Sequence, residues 1–369
     1  MSIIRFSVVV TVLAVVLALS SPFAFSANLD SLNAGKVGIK SAGPMAFGPE
    51  AILFVGDSAG ASIFAIDTGD RTPAKSAAKV NVKAINQKIA ALLGTTPDQI
   101  LVNDAVVNPI SKNVYLSVSR GLGPDAIPVI LRVNAGGKIT ELSLDNVRHS
   151  VASLEDAPAV DAKDSRGRGL RVATITDLAY VEGKVFVAGL SNEEFASSFR
   201  SISFPFRGVN KSAGIEIYHS SHGRFETYSP IRTFLPLQLA GEPYILAAYT
   251  CTPLVKIPIS ALKPGHKVRG VTIAELGNRN RPLDMIAYSK GGQEYLLMAN
   301  SSRGVMKLPL GGLEKYPALV EEPVDIAGVP YETIADLKGV LQLDKFDDNN
   351  AMLLTDDSGS LNLRTVPLP

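Results

Sequence analysis

The sequence predicts an all-β fold, a six-bladed β-propeller with one short helix, and three observations carry that prediction. One hairpin phrase recurs: an Asp, a few mostly apolar residues, a turn rich in Gly, Asn or Lys, then a second apolar run. It reads NDAVVNPISKNVYLSVSR at 103–120, TDLAYVEGKVFVAGL at 176–190, LDMIAYSKGGQEYLLMANSS at 283–302 and, more loosely, ADLKGVLQLDKFDDNNAMLLTDD at 335–357. Repetition at intervals of tens of residues marks an array of like modules. Short runs rich in branched and aromatic residues, bounded by Gly, Pro, Asn or Asp, account for most of the remaining chain. Helical spacing is convincing in one place only, VKAINQKIAALLG at 82–94.

A division into six modules accommodates nearly every strand. The first, 41–67, contains GPMAFG, LFVGD and IFAID. The helix follows in the link, with Ile85, Ile89, Leu92 and Leu93 on one face and Gly94 as its stop. The second module, 100–144, adds VILRV to its hairpin, and the third, 172–228, runs from LAYV to IEIYH. Modules four to six occupy 231–276, 281–310 and 331–368. Units of this size with three or four strands each suit propeller blades around a channel. GKVGIK at 35–40 is expected to pair with the last blade and close the ring, hiding otherwise open edges. A seventh blade would require strands hidden in the helix link or in 321–331, and a sandwich has no need of a recurrent hairpin with a leading Asp.

The first residues carry Arg5, an apolar stretch from Val8 to Ser20, and SPFAFSA. This pattern predicts a secretory signal over 1–26 and a single mature domain over 27–369, periplasmic or secreted, with no later membrane segment. The chain has 36 Lys and Arg against 35 Asp and Glu, and 1–26 holds one Arg and no acid, leaving 35 of each. That balance gives no electrostatic reason to expect nucleic acid as a partner. The remaining expectation is a monomer that binds a protein partner or a small molecule. The lone Cys251 excludes an internal disulfide and reads as a small buried hydrophobe on a strand.

The inner-hairpin phrases TDLAYVEGKVFVAG, RPLDMIAYSKGGQEYLLMAN and GPMAFGPEAILFVGD give the chain its resemblance to exported six-bladed propellers of the NHL, gluconolactonase-like and soluble quinoprotein dehydrogenase-like kind. Trp-marked propellers, such as WD repeats, are set aside because the chain has no Trp.

Asp104, Asp177, Asp284 and Asp336 are expected to open the innermost strands and converge at one channel end. With Asn103 and Asn300 nearby they would offer the oxygen ligands that Ca2+ takes. In the lactonase-like relatives such an ion polarises an ester carbonyl, which implies a Ca2+-dependent hydrolase as the alternative to a binding role. The competing expectation is structural: an Asp at this place accepts backbone N–H groups and pins neighbouring blades. A second candidate set is Arg200, Phe204, Phe206 and Arg207 in the Phe-rich stretch 192–208, read as a loop either capping the channel or covering its own sheet. Arg279 and Arg281, ahead of the fifth inner strand, could reach the same mouth or neutralise its acids. His219 and His222 in YHSSHGRF read as an exposed turn with no third ligand nearby in sequence.

Overall fold

The computed structural model describes residues 29–75, 78–209 and 211–369; the expected signal segment 1–26 lies outside them. Among the described residues six sheets stand around a central channel, antiparallel but for Lys267–Arg269, which runs parallel to Ala213–His219. Their inner strands are Met45–Phe47 (blade 1), Ile100–Val107 (blade 2), Asp177–Val181 (blade 3), Thr233–Leu239 (blade 4), Pro282–Lys290 (blade 5) and Val340–Lys345 (blade 6). The protein is therefore a six-bladed propeller, and its α-helix, Ile85–Leu93, lies in the link between the first two blades. Among the described residues no helix is long and apolar enough to cross a membrane.

Local chemistry explains the inner hairpins. Blades 3, 4 and 5 turn through Glu182-Gly183, Ala240-Gly241 and Gly291-Gly292, with positive φ at all six residues. Two-residue turns of this hand match the twist of paired strands. The helix stops as expected, because Gly94 adopts φ 64° and donates its N–H to the Ala90 carbonyl.

The order of blades around the ring departs from their order in the chain. Inner strands touch in the sequence 1, 3, 4, 5, 6, 2 and back to 1. The chain lays down the outermost strand of blade 1, Asn33–Gly35, and its three inner strands, gives Asn81–Val82 to the outer edge of blade 6, and then builds blade 2. Val147–Ser153 next returns to become the fourth strand of blade 1. Ring closure therefore differs from the expectation for 35–40. Val82 pairs with Leu363, and Val80 exchanges hydrogen bonds with Thr365. The segment 35–40 stays with blade 1: Gly35 pairs with Val147 and the Lys40 N–H donates to the Asp57 carboxylate. The blades without an inner-strand Asp, 1 and 4, are accordingly separated by blade 3 alone.

The core lies between adjacent blades, where faces of Val, Ile, Leu and Ala interdigitate. Phe199 meets Phe234 of blade 4 edge to face at 5.1 Å, and Phe54 of blade 1 meets Phe204 of blade 3 at 5.0 Å. Such contacts add to the area term that holds successive blades together.

Candidate functional site

Asp104, Asp177 and Asp284 sit on the inner strands of blades 2, 3 and 5, with their side chains on a channel cavity of about 480 Å³. The fourth acid there is Asp344, not Asp336. Asp336 lies exposed in the turn before Val340–Lys345, whereas Asp344 is within that strand. The phrase at 335–357 contains both ADLKG and LQLDKF, and the shorter spacing to the turn conceals the second.

Each of the four carboxylates accepts two backbone N–H groups, one on each oxygen. The first comes from the following residue: Ala105, Leu178, Met285 and Lys345, at 2.7–2.8 Å. The second comes from the inner strand of the next blade. Met45 donates to Asp104 at 2.6 Å, Phe234 to Asp177 at 2.8 Å, Leu343 to Asp284 at 2.9 Å and Val107 to Asp344 at 2.7 Å. These bonds join blades 2 to 1, 3 to 4, 5 to 6 and 6 to 2. The two junctions without such an Asp use other groups. Ser58 exchanges hydrogen bonds with the Ile175 backbone between blades 1 and 3, and the Cys251 N–H reaches the Asn280 carbonyl between blades 4 and 5.

Blade pinning does not exhaust these acids. Burial raises all four: Asp104 and Asp177 to about 7, Asp344 to about 6, and Asp284 well above the ordinary range. Repulsion from the other channel acids adds to the rise at Asp104 and Asp284. Among the described residues no ion pair reaches any of them; the cations on the cavity wall are Lys112 and Lys345, and Lys345 pairs with Asp348. Met45, Phe47, Phe234 and Phe346 supply apolar wall between the carboxyls.

The other predicted residues are placed elsewhere. Asn103 donates to the Ala42 carbonyl and Ser119, and Asn300 accepts from Asn280; neither lines the cavity. The Phe-rich stretch is not a loop over the channel, because Ser197–Ser203 is the third strand of blade 3. Arg200 is buried in an ion pair with Asp156 at 2.6 Å. Phe204 and Phe206 pack on Phe54, so the rings cover their own sheet and its junction with blade 1. Arg207, Arg279 and Arg281 are exposed, and none of them lines the cavity.

The histidine turn departs most from its expectation. Cys251 is partly exposed in a turn at φ 67° instead of lying on a strand. The 3-10 turn Ser220–His222 brings His219 and His222 ring to ring, centroids 3.9 Å apart, and His219 is buried. The connection to Cys251 crosses from blade 3 to blade 4, which no local motif can signal.

No family model matches the chain, and no curated protein matches it in sequence. Similar solved structures include a glucose dehydrogenase from a Thermus species, 11% identical with TM-score 0.36 over 91% of this chain and 100% of that one. The apo form of a soluble aldose sugar dehydrogenase from Escherichia coli is 12% identical, TM-score 0.36, over 91% and 99%. The extracellular region of plexin A4 is 9% identical, TM-score 0.42, over 92% of this chain and 40% of that one.

Proposed function

We propose that this is an exported binding propeller that takes a small cationic or cation-bearing molecule in its channel mouth and is not catalytic. The observation that carries this reading is the set of four carboxyls on one cavity, raised by burial and without an ion-pair partner among the described residues. A bound positive charge would relieve their mutual repulsion and favour the ionised form. The Met and Phe wall would enclose the apolar part of such a ligand. A small molecule fits this site better than a protein partner, because the aromatic stretch that could have met a partner is packed into blade junctions.

A Ca2+-dependent hydrolase using Asp104, Asp177 and Asp284 draws less support. Among the described residues, the metal-ligating atoms that cluster within 4.8 Å in threes belong to His219, His222 and Cys251, not to the channel acids. Each channel carboxylate oxygen also already holds a backbone N–H.

The test is calorimetric titration of the mature protein with a polyamine, a quaternary ammonium ion and Ca2+ at pH 5 and pH 8. Binding of an organic cation that tightens at pH 8, where the carboxyls ionise, and weakens in Asp284→Asn supports the reading. A response to Ca2+ alone would favour the hydrolase, and no heat with any of the three would overturn the cation site.

A further inference from the structure

Glu226 organises a second polar site, at the junction of blades 3 and 4. It lies in the short strand Arg224–Glu226 and is buried. Its Oε2 faces His219 Nδ1 at 2.7 Å and its Oε1 faces His222 Nδ1 at 2.8 Å. Arg224 Nε, the Tyr228 hydroxyl and the Ser229 hydroxyl donate to the same carboxylate. With Arg224, Tyr228 and Ser229 also donating, the carboxylate is surrounded by donors and acts as the acceptor toward both imidazoles.

A carboxylate that accepts from both rings leaves the hydrogen of each on Nδ1. In the neutral rings the lone pairs then lie on the two Nε2 atoms. His219 is 2% exposed, and its Nε2 is buried with no hydrogen-bond partner. A buried polar atom left so is costly unless something fills the place. Cys251 is close by: one ligand atom from each of His219, His222 and Cys251 lies within 4.8 Å of the others. Its turn is held by the Cys251 N–H to the Asn280 carbonyl at 2.7 Å and the Thr252 hydroxyl to the Gly277 carbonyl at 2.7 Å.

We propose that His219, His222 and Cys251 form a site for a late first-row transition-metal ion, Zn2+ or copper, with Glu226 fixing both imidazoles from behind. Two imidazoles and a thiolate form a donor set for these ions, and a carboxylate on the far nitrogen is the usual outer support of a metal-bound His. Ligand atoms around a tetrahedral Zn2+ stand about 3.5 Å apart, so small side-chain rotations complete the set. Thiolate ligation releases the Cys251 proton to solvent. Three protein ligands would leave a fourth position for an external ligand, and the His222 side chain is 41% exposed. The site is separate from the channel carboxyls and stands or falls independently of them.

The full mature chain would be reduced, freed of metal, and titrated separately with Zn2+, Co2+ and Cu2+. Expected are one ion per chain, a thiolate-to-metal charge-transfer band with Co2+, and protection of Cys251 from alkylation by Zn2+. Displacement of Co2+ by Zn2+ assigns zinc, whereas an intense visible thiolate band with Cu2+ that resists Zn2+ assigns copper. Cys251→Ser should abolish the band and weaken binding at least tenfold, and Glu226→Gln should weaken it by roughly 10- to 100-fold. His222→Asn, at the exposed ligand, gives a folded control for the imidazole contribution, with melting temperature read in parallel. Absence of the band in the wild type, or its persistence in Cys251→Ser, overturns the site.

Discussion

The backbone N–H of Phe234 on blade 4 donates to the Asp177 carboxylate on blade 3 at 2.8 Å, while the other oxygen of that carboxylate holds the N–H of Leu178 at 2.8 Å. An Asn in this place has one oxygen and one NH2 group, which cannot accept. Asp177→Asn should therefore leave one of the two N–H groups without an acceptor, at a cost of about 1–3 kcal/mol. Denaturant unfolding of wild type and variant checks this, and an unchanged midpoint would remove the pinning role.

The same carboxyls predict a pH dependence of stability. Their pKa values are higher in the folded than in the unfolded chain, with Asp104 and Asp177 at about 7 and Asp344 at about 6. Between about pH 4, the ordinary carboxyl range, and pH 7 the folded state therefore binds more protons than the unfolded one. Stability from these groups is complete below that window and is lost as pH rises through it. The melting temperature should fall between pH 5 and pH 8, and a ligand cation should reverse much of the fall. A scan showing the opposite slope, with Asp284→Asn unchanged from wild type, would contradict the raised carboxyls.

Much of this was legible in the sequence, and what was hidden has a physical reason. The inner hairpins show because each carries its own turn chemistry and alternating apolar residues, all local. The Asp at three of the four positions shows for the same reason, since its first bond is to the next residue. Asp344 hides because ADLKG offers a better turn eight residues earlier. Ring order is invisible locally: Val147–Ser153 looks like any exposed strand, and only long-range pairing with Ser62–Asp67 returns it to blade 1. His219 and His222 are near neighbours in the chain, but Cys251 comes from another blade and Glu226 looks like an ordinary surface acid.

Arg200 tests the distinction between a ligand residue and a structural one. Its guanidinium is buried against Asp156, whose second oxygen takes the Ser212 N–H and hydroxyl. Burial would raise Asp156, but the charge of Arg200 and its hydrogen bond hold it below the ordinary range. Arg200→Met should strand a buried carboxylate and cost about 3–5 kcal/mol. The loss should ease on acidification, as Asp156 takes up a proton in the variant. Binding of small cations at the channel should survive in whatever fraction remains folded, and its loss there would return Arg200 to the ligand set.

Two glycines separate backbone strain from steric exclusion. Gly241 turns the blade 4 hairpin at φ 84° with no heavy atom within 4 Å of where a Cβ would stand. Gly241→Ala therefore meets conformational strain alone, about 1–2 kcal/mol. Gly189, in the second strand of blade 3, has an ordinary φ, but its Cβ would lie 2.0 Å from the Thr174 carbonyl oxygen and 2.6 Å from its carbon. That carbonyl belongs to backbone entering blade 3 beside the Ser58 link to blade 1, and it cannot rotate away as a side chain would. Gly189→Ala should force the blade 1 and blade 3 junction apart and destabilise the protein by several times the cost of Gly241→Ala. Equal losses in chemical denaturation of the two variants would show that the junction yields, and that blades 1 and 3 are held less tightly than the contact distance implies.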